Sequence, residues 1–167
     1  MLSKKMEEAL NKQIVKEAYA CNSYLSMASW CETKGLRGCA SFFYAQSEEE
    51  REHALKLIKY LNESAGHGLV PAVREPPENY KSIKEAFEIS LKQEKDVTAS
   101  IHALVDLAMD IKDYAAFNFL QWYVEEQHEE ENLFRSILDI FEVAETDGKN
   151  MLLFDSEIAK IRAPKKE

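Results

Sequence analysis

Six residues of this chain set out one arrangement twice. Glu50 is followed three residues later by His53, and Gln127 three residues later by Glu130. Glu17 precedes Glu50 by 33 residues, and Glu94 precedes Gln127 by the same 33. Carboxylate oxygens joined by a single imidazole suit iron or manganese, whereas zinc prefers thiolates and more imidazole. Two ions sharing one bridging carboxylate would use the whole set. That chemistry requires the six side chains to meet away from bulk water. A Glu-x-x-His pair alone arises often by chance in an acidic helix, so the elements that carry the residues decide the matter.

Four long segments show helical periodicity with almost no internal breakers. They are expected at about Lys4 to Lys34, from after Gly38 to about Ser64, from the capping pattern Ser82-Ile-Lys-Glu85 to about Asp110, and from about Asp113 to Glu145. A shorter segment, MLLFDSEIAKI, follows. A bundle seam repeats in steps of three and four. On the fourth helix the apolar flanks set a frame of Ala116, Leu120, Tyr123, Gln127, Glu130, Phe134, Ile137 and Phe141. Gln127 and Glu130 therefore point inward. The same frame places Glu17 between Gln13 and Ala20, with Tyr24 one heptad on from Glu17. It places Glu50 and His53 between Gln46 and Leu57, with Tyr60 beyond, and Glu94 between Ser90 and Val97. Each acid lies near the middle of its helix, so the set converges at one height.

No Lys or Arg shares these inner positions. Two carboxylates about 4 Å apart repel by roughly 4 kcal/mol at an effective dielectric of 20, before desolvation. Four together must take up protons or hold cations.

Loop lengths set the topology. The first and third joins are short, so each flanking pair forms an antiparallel hairpin. GHGLVPAVREPPENYK, with three prolines, is not helical, and its length lets it cross the whole bundle. The expected fold is all-α: a four-helix bundle with one long crossover between helices two and three, plus a short fifth helix. One domain is expected over 1–167, with the bundle at about 4–145 and the last helix at about 150–162. The apolar residues of that last helix suit a subunit contact, and packing on the parent bundle would also serve.

The net charge of −9 disfavours nucleic acid, which needs basic surface. No apolar run approaches the roughly 18 to 20 residues of a membrane span, and MLSKKMEEALNK turns acidic too soon for a secretory signal. Cys21, Cys31 and Cys39 match no metal spacing and read as reduced thiols of a cytoplasmic protein.

Through NKQIVKEAYACNSYLSMASWCE, EEEREHALKLIKYLN and DYAAFNFLQWYVEEQHEEENLF the chain resembles the bacterial non-haem ferritins over essentially its whole length. Ferritin-like carboxylate proteins carry a Glu from each of two helices and Glu-x-x-His pairs from the others. The resemblance implies a homo-oligomeric 24-subunit cage that oxidises Fe(II) with O₂ or peroxide and stores ferric mineral. It implies one iron on Glu17, Glu50 and His53, and a second on Glu50, Glu94 and Glu130, with Gln127 a polar neighbour. Tyr24 would be a hydrogen-bonding or electron-donating group, although a tyrosine that merely caps the core fits the residues equally. A third iron site would draw on Glu49, Glu126, Glu129 and Glu130. Haem is not expected, because Arg51 follows Glu50 where haem-binding relatives carry Met. Two further readings fit the inner acids: a di-metal redox enzyme on an organic substrate or peroxide, and a metal-free assembly subunit with protonated glutamates.

Overall fold

The computed structural model describes residues 2–143 and 148–161. Its helices are α1 (Lys4–Thr33), α2 (Arg37–Glu63), α3 (Ile83–Asp110), α4 (Tyr114–Val143) and α5 (Gly148–Ile161). The expected ends of the fourth helix at Glu145 and the fifth at Arg162 lie outside the described residues, as do the outermost residues of the expected 1–167 domain. Among the described residues, no helix is long and apolar enough to cross a membrane.

Local chemistry explains the boundaries. Ser3 caps α1 through its Oγ, which accepts from Met6 N at 3.1 Å. Gly35, at φ +75°, turns the chain out of α1, and Leu36 N closes back on Cys31 O at 3.0 Å. Ser82 Oγ accepts from Glu85 N, and Glu85 Oε2 reaches back to Lys81 N, close to the expected capping box. Asp113 Oδ1 accepts from Ala116 N at the start of α4. α2 ends at Glu63 with Ser64 as its cap, close to the expected end. The left-handed residue that follows is Ala65, at φ 61°, with Gly66 N bonded to Leu61 O.

The crossover spans the bundle alongside α1. His67 O and Leu69 N bond the Asn11 side chain, the Arg74 guanidinium lies over the Tyr19 ring, Pro77 O accepts from Ser26 Oγ, and Tyr80 packs edge-on against Trp30. From Asn11 to Trp30 a helix rises about 28 Å, so α3 starts at the end of the bundle where α2 started. Backbone contact is close within each hairpin, between α1 and α3, and between α2 and α5. α2 and α4 scarcely meet at backbone level.

The seam frames for α1, α3 and α4 are buried along their whole lengths. One seam residue of α2 departs: Tyr60 is only half-buried and Leu61 takes the inner position, because the frame steps by four after Leu57. Two apolar clusters result. One gathers Tyr24, Phe42, Phe43, Phe87 and Phe134 with Phe154 and Ile158 of α5. The other gathers Leu10, Ile14, Leu57, Ile101, Leu120 and Tyr123. The inner acids lie along the seams between them. On α5, Phe154 and Ile158 pack on the parent bundle, as the second reading of this helix expects, while Leu152 and Leu153 stay exposed.

The α2–α5 crossing is tight. A Cβ on Gly38 would lie 1.9 Å from Asp155 O. α2 has no side-chain cap of its own. Asp155 of α5 supplies one, accepting from Gly38 N at 2.9 Å and Cys39 N at 2.8 Å. Cys31 and Cys39 are buried, Cys21 is half-buried, and all three are free thiols. Burial, followed by Asp155, raises the Cys31 thiol to about 12. Burial and a hydrogen bond to Asp155 raise Cys39 further still.

Candidate metal centre

Glu17, Glu50, His53, Glu94, Gln127 and Glu130 are all buried, each with 1–3% of its surface exposed. One donor atom each from Glu17, Glu50 and His53 lies within 4.8 Å of the others. His53 Nδ1 stands 3.2 Å from Glu50 Oε2. Tyr123 donates to the His53 backbone oxygen at 2.8 Å, and the Trp122 and Tyr123 rings meet the imidazole edge-on at 5.4 and 6.2 Å. Glu94 and Glu130 approach from α3 and α4, but neither joins a compact three-donor group such as the first. The Tyr24 hydroxyl donates to Glu94 Oε1, and Gln127 Nε2 donates to Glu94 Oε2 at 3.2 Å. Tyr24 is stacked between Phe43 and Phe134, with centroids 6.0 and 5.8 Å away, which fixes where that hydroxyl points.

Burial raises Glu50 well above the ordinary carboxylate range, and Glu94 and Glu17 push it further. Glu94 is raised to about 8 by burial and by Glu130, against the opposing hydrogen bonds from Tyr24 and Gln127. The Tyr24 phenol is raised by burial and by the neighbouring carboxylates, so it stays protonated. Protons thus occupy positions that cations would otherwise neutralise. The donor set fits such cations. Glu17 Oε2 is a buried oxygen with no hydrogen-bond partner, and among the described residues no Lys or Arg is buried.

A second group adjoins the first. Donor atoms of Glu49, His53 and Glu126 lie within 4.8 Å of one another, with His53 Nε2 3.9 Å from Glu126 Oε1. Glu129 is exposed, and neither it nor Glu130 joins that compact group. All four acids expected at a third site nevertheless line one open cleft of about 450 Å³. A second cleft, of about 700 Å³, reaches His53, Glu49 and Glu126 between α2 and α4. Both clefts open beside α2 and α4, one against His53 and the other against Glu130. Glu125 and His128, the off-seam Glu-x-x-His, are exposed.

Residues that sequence reasoning passed over also belong here. Gln13 Nε2 donates to Glu17 Oε1 at 2.7 Å, and Gln46 Nε2 donates to Glu130 Oε2 at 2.8 Å. Both stand on the seam frame, and an inward amide beside inward acids was the available signal. Ser100, which bonds Gln13, lies off the frame and offered none.

The sequence matches the ferritin-like domain family over residues 7–143. It is 46% identical to a bacterial non-heme ferritin of Campylobacter jejuni subsp. jejuni, covering 100% of both chains. It is 39% identical to a bacterial non-heme ferritin of Staphylococcus saprophyticus, covering 95% of each. Its fold is similar to that of an open-pore ferritin from the hyperthermophilic archaeon Archaeoglobus fulgidus, with a TM-score of 0.92 and 42% identity, covering 95% of this chain and 98% of that one.

Proposed function

Because the chain belongs to the ferritin family, we propose that it is an iron-storage subunit that oxidises Fe(II) at a di-iron centre and delivers the ferric product into a homo-oligomeric cage. The observation that carries this reading is the burial of four carboxylates and one imidazole together, with an unpartnered oxygen on Glu17 and, among the described residues, no buried Lys or Arg to neutralise them. Iron(II) is the substrate. Glu17, Glu50 and His53 hold one ion, Glu94 and Glu130 hold the other, and Glu50 is shared. Binding displaces the protons that burial keeps on Glu50 and Glu94. Each ion gives one electron to O₂ or peroxide. Tyr24 orients Glu94 through its hydroxyl and is placed to supply a further electron. Glu49, Glu126 and Glu129, with Glu130, receive a third ion beside the lateral clefts, on the way out.

The whole chain, 1–167, acts as one unit in the cytoplasm, without haem, and the exposed Leu152 and Leu153 of α5 serve contact between copies. Aerobic Fe(II) loading followed by sizing and iron counting tests the reading. A cage of 24 copies of a 19.2 kDa chain has a mass of about 461 kDa and should retain many irons per subunit. A monomer or dimer would favour a di-metal enzyme using the cleft beside His53. A cage that retains no iron would favour a purely structural subunit.

A further inference from the structure

We infer that Gln13 and Gln46 are positioning residues that select which oxygen of Glu17 and of Glu130 meets iron. This rests on the di-iron reading above. Three buried glutamines each give an amide N–H to a different carboxylate: Gln13 to Glu17 Oε1, Gln46 to Glu130 Oε2 and Gln127 to Glu94 Oε2. Glu50 is the one inner acid that receives no amide, and its Oε2 faces His53 Nδ1. The amides do not act alike: both oxygens of Glu94 are held, one by Tyr24 and one by Gln127, whereas Gln13 and Gln46 each hold one named oxygen, Oε1 of Glu17 and Oε2 of Glu130. A neutral amide does this without competing with the metal, as a lysine would, and without adding charge, as a further glutamate would.

The geometry is most complete at Glu17. Ser100 Oγ donates to Gln13 Oε1 at 2.7 Å, with Val97 O as its other acceptor at 2.8 Å. With the hydroxyl proton on Gln13, the NH₂ end of the amide must face Glu17. Oε1 of Glu17 is then committed, and Oε2, buried and without a hydrogen-bond donor, is the atom presented to iron. A chain from Ser100 of α3 through Gln13 of α1 therefore orients Glu17.

Anaerobic Fe(II) titration of the assembled protein, read by calorimetry and near-infrared magnetic circular dichroism, tests this. Gln13→Leu and Gln46→Leu should keep the cage mass and two tightly held irons per subunit. Each should weaken Fe(II) binding about tenfold, the scale of one hydrogen bond to a charged group. The ligand-field bands should move toward those of a higher-coordinate ion, as the released carboxylate binds through both oxygens. In a Glu17→Gln background, Gln13→Leu should add nothing. Wild-type affinity and bands in both variants, or a full additional loss in that background, would overturn the assignment. If a leucine variant fails to assemble, Ser100→Ala leaves Gln13 in place and removes only its orienting group. A loss of about threefold is then expected, and an unchanged titration overturns the proposal. Wild-type protein that binds no pair of Fe(II) ions would sink the di-iron reading itself, an outcome distinct from a normal pair indifferent to Gln13.

Discussion

Metal-free protein should lose stability as pH rises from about 5 to 8, the reverse of the usual behaviour of carboxylates. Glu94 carries the argument. In the unfolded chain its carboxyl has the ordinary value of 4.5, and in the fold it is raised to about 8. Between those values the folded state keeps a proton that the unfolded state has lost. Stability therefore falls with pH across that window and levels off above it. The full difference corresponds to about 5 kcal/mol. Glu50, raised by burial and by Glu94 and Glu17, acts in the same direction. At roughly 2–4 °C per kcal/mol for a chain of this size, the apparent Tm should drop by about 10–20 °C. Scanning calorimetry of chelator-treated protein at stepped pH measures it. Glu94→Gln should flatten the slope and be the more stable protein at pH 8. Saturating Fe(II) without oxidant should reverse the wild-type slope, because deprotonation then favours the bound state. A metal-free Tm that is flat or rises from pH 5 to 8, or an unchanged slope in Glu94→Gln, would refute the reasoning.

Glu50→Ala removes the one acid assigned to both ions, and stopped-flow absorbance should show the fast phase of Fe(II) oxidation abolished while the cage mass is unchanged; an unaltered initial rate would count against the centre. Asp155→Ala leaves the first amides of α2 without their cap and should destabilise the protein by about 2–3 kcal/mol, with hydrogen exchange fastest in α5 and at Gly38 and Cys39. Cys31 and Cys39, buried and held as thiols, should resist alkylation at pH 7 on the timescale of native labelling, with Cys21 modified first; peptide mapping after a short iodoacetamide pulse would show it.

The inner acids were legible because their neighbours on each helix are not. Phe134, Ile137 and Phe141 on one side of the knot, and Leu120 and Ala116 on the other, leave a single frame for α4, and Gln127 and Glu130 fall inside it. The same holds for Glu17 among Leu10, Ala20 and Met27. What stayed hidden depends on partners distant in sequence. Gln46 is one turn from Glu50 on α2 yet bonds Glu130 on α4, a choice set by interhelical distance and not by periodicity. Asp155 reads as an ordinary polar residue of a short helix until α5 is laid against α2. Ala65 takes the left-handed turn that Gly66 advertises, because the frame after Leu57 advances to Leu61 and the 6→1 bond closes there. Glu129 shares the acidic run with Glu126 but lies on the exposed side of α4, so its part in the cleft rests on the surface shape and not on the seam.

The uneven spacing of the helices gives the centre a closed side and an open one. Backbones approach closely between α1 and α3, whereas α2 and α4 scarcely meet at that level. Glu17 and Glu94 stand on the closed side, and His53 and Glu130 line the clefts beside α2 and α4. A small ion arriving through either cleft therefore meets His53 or Glu130 before it meets Glu17 or Glu94.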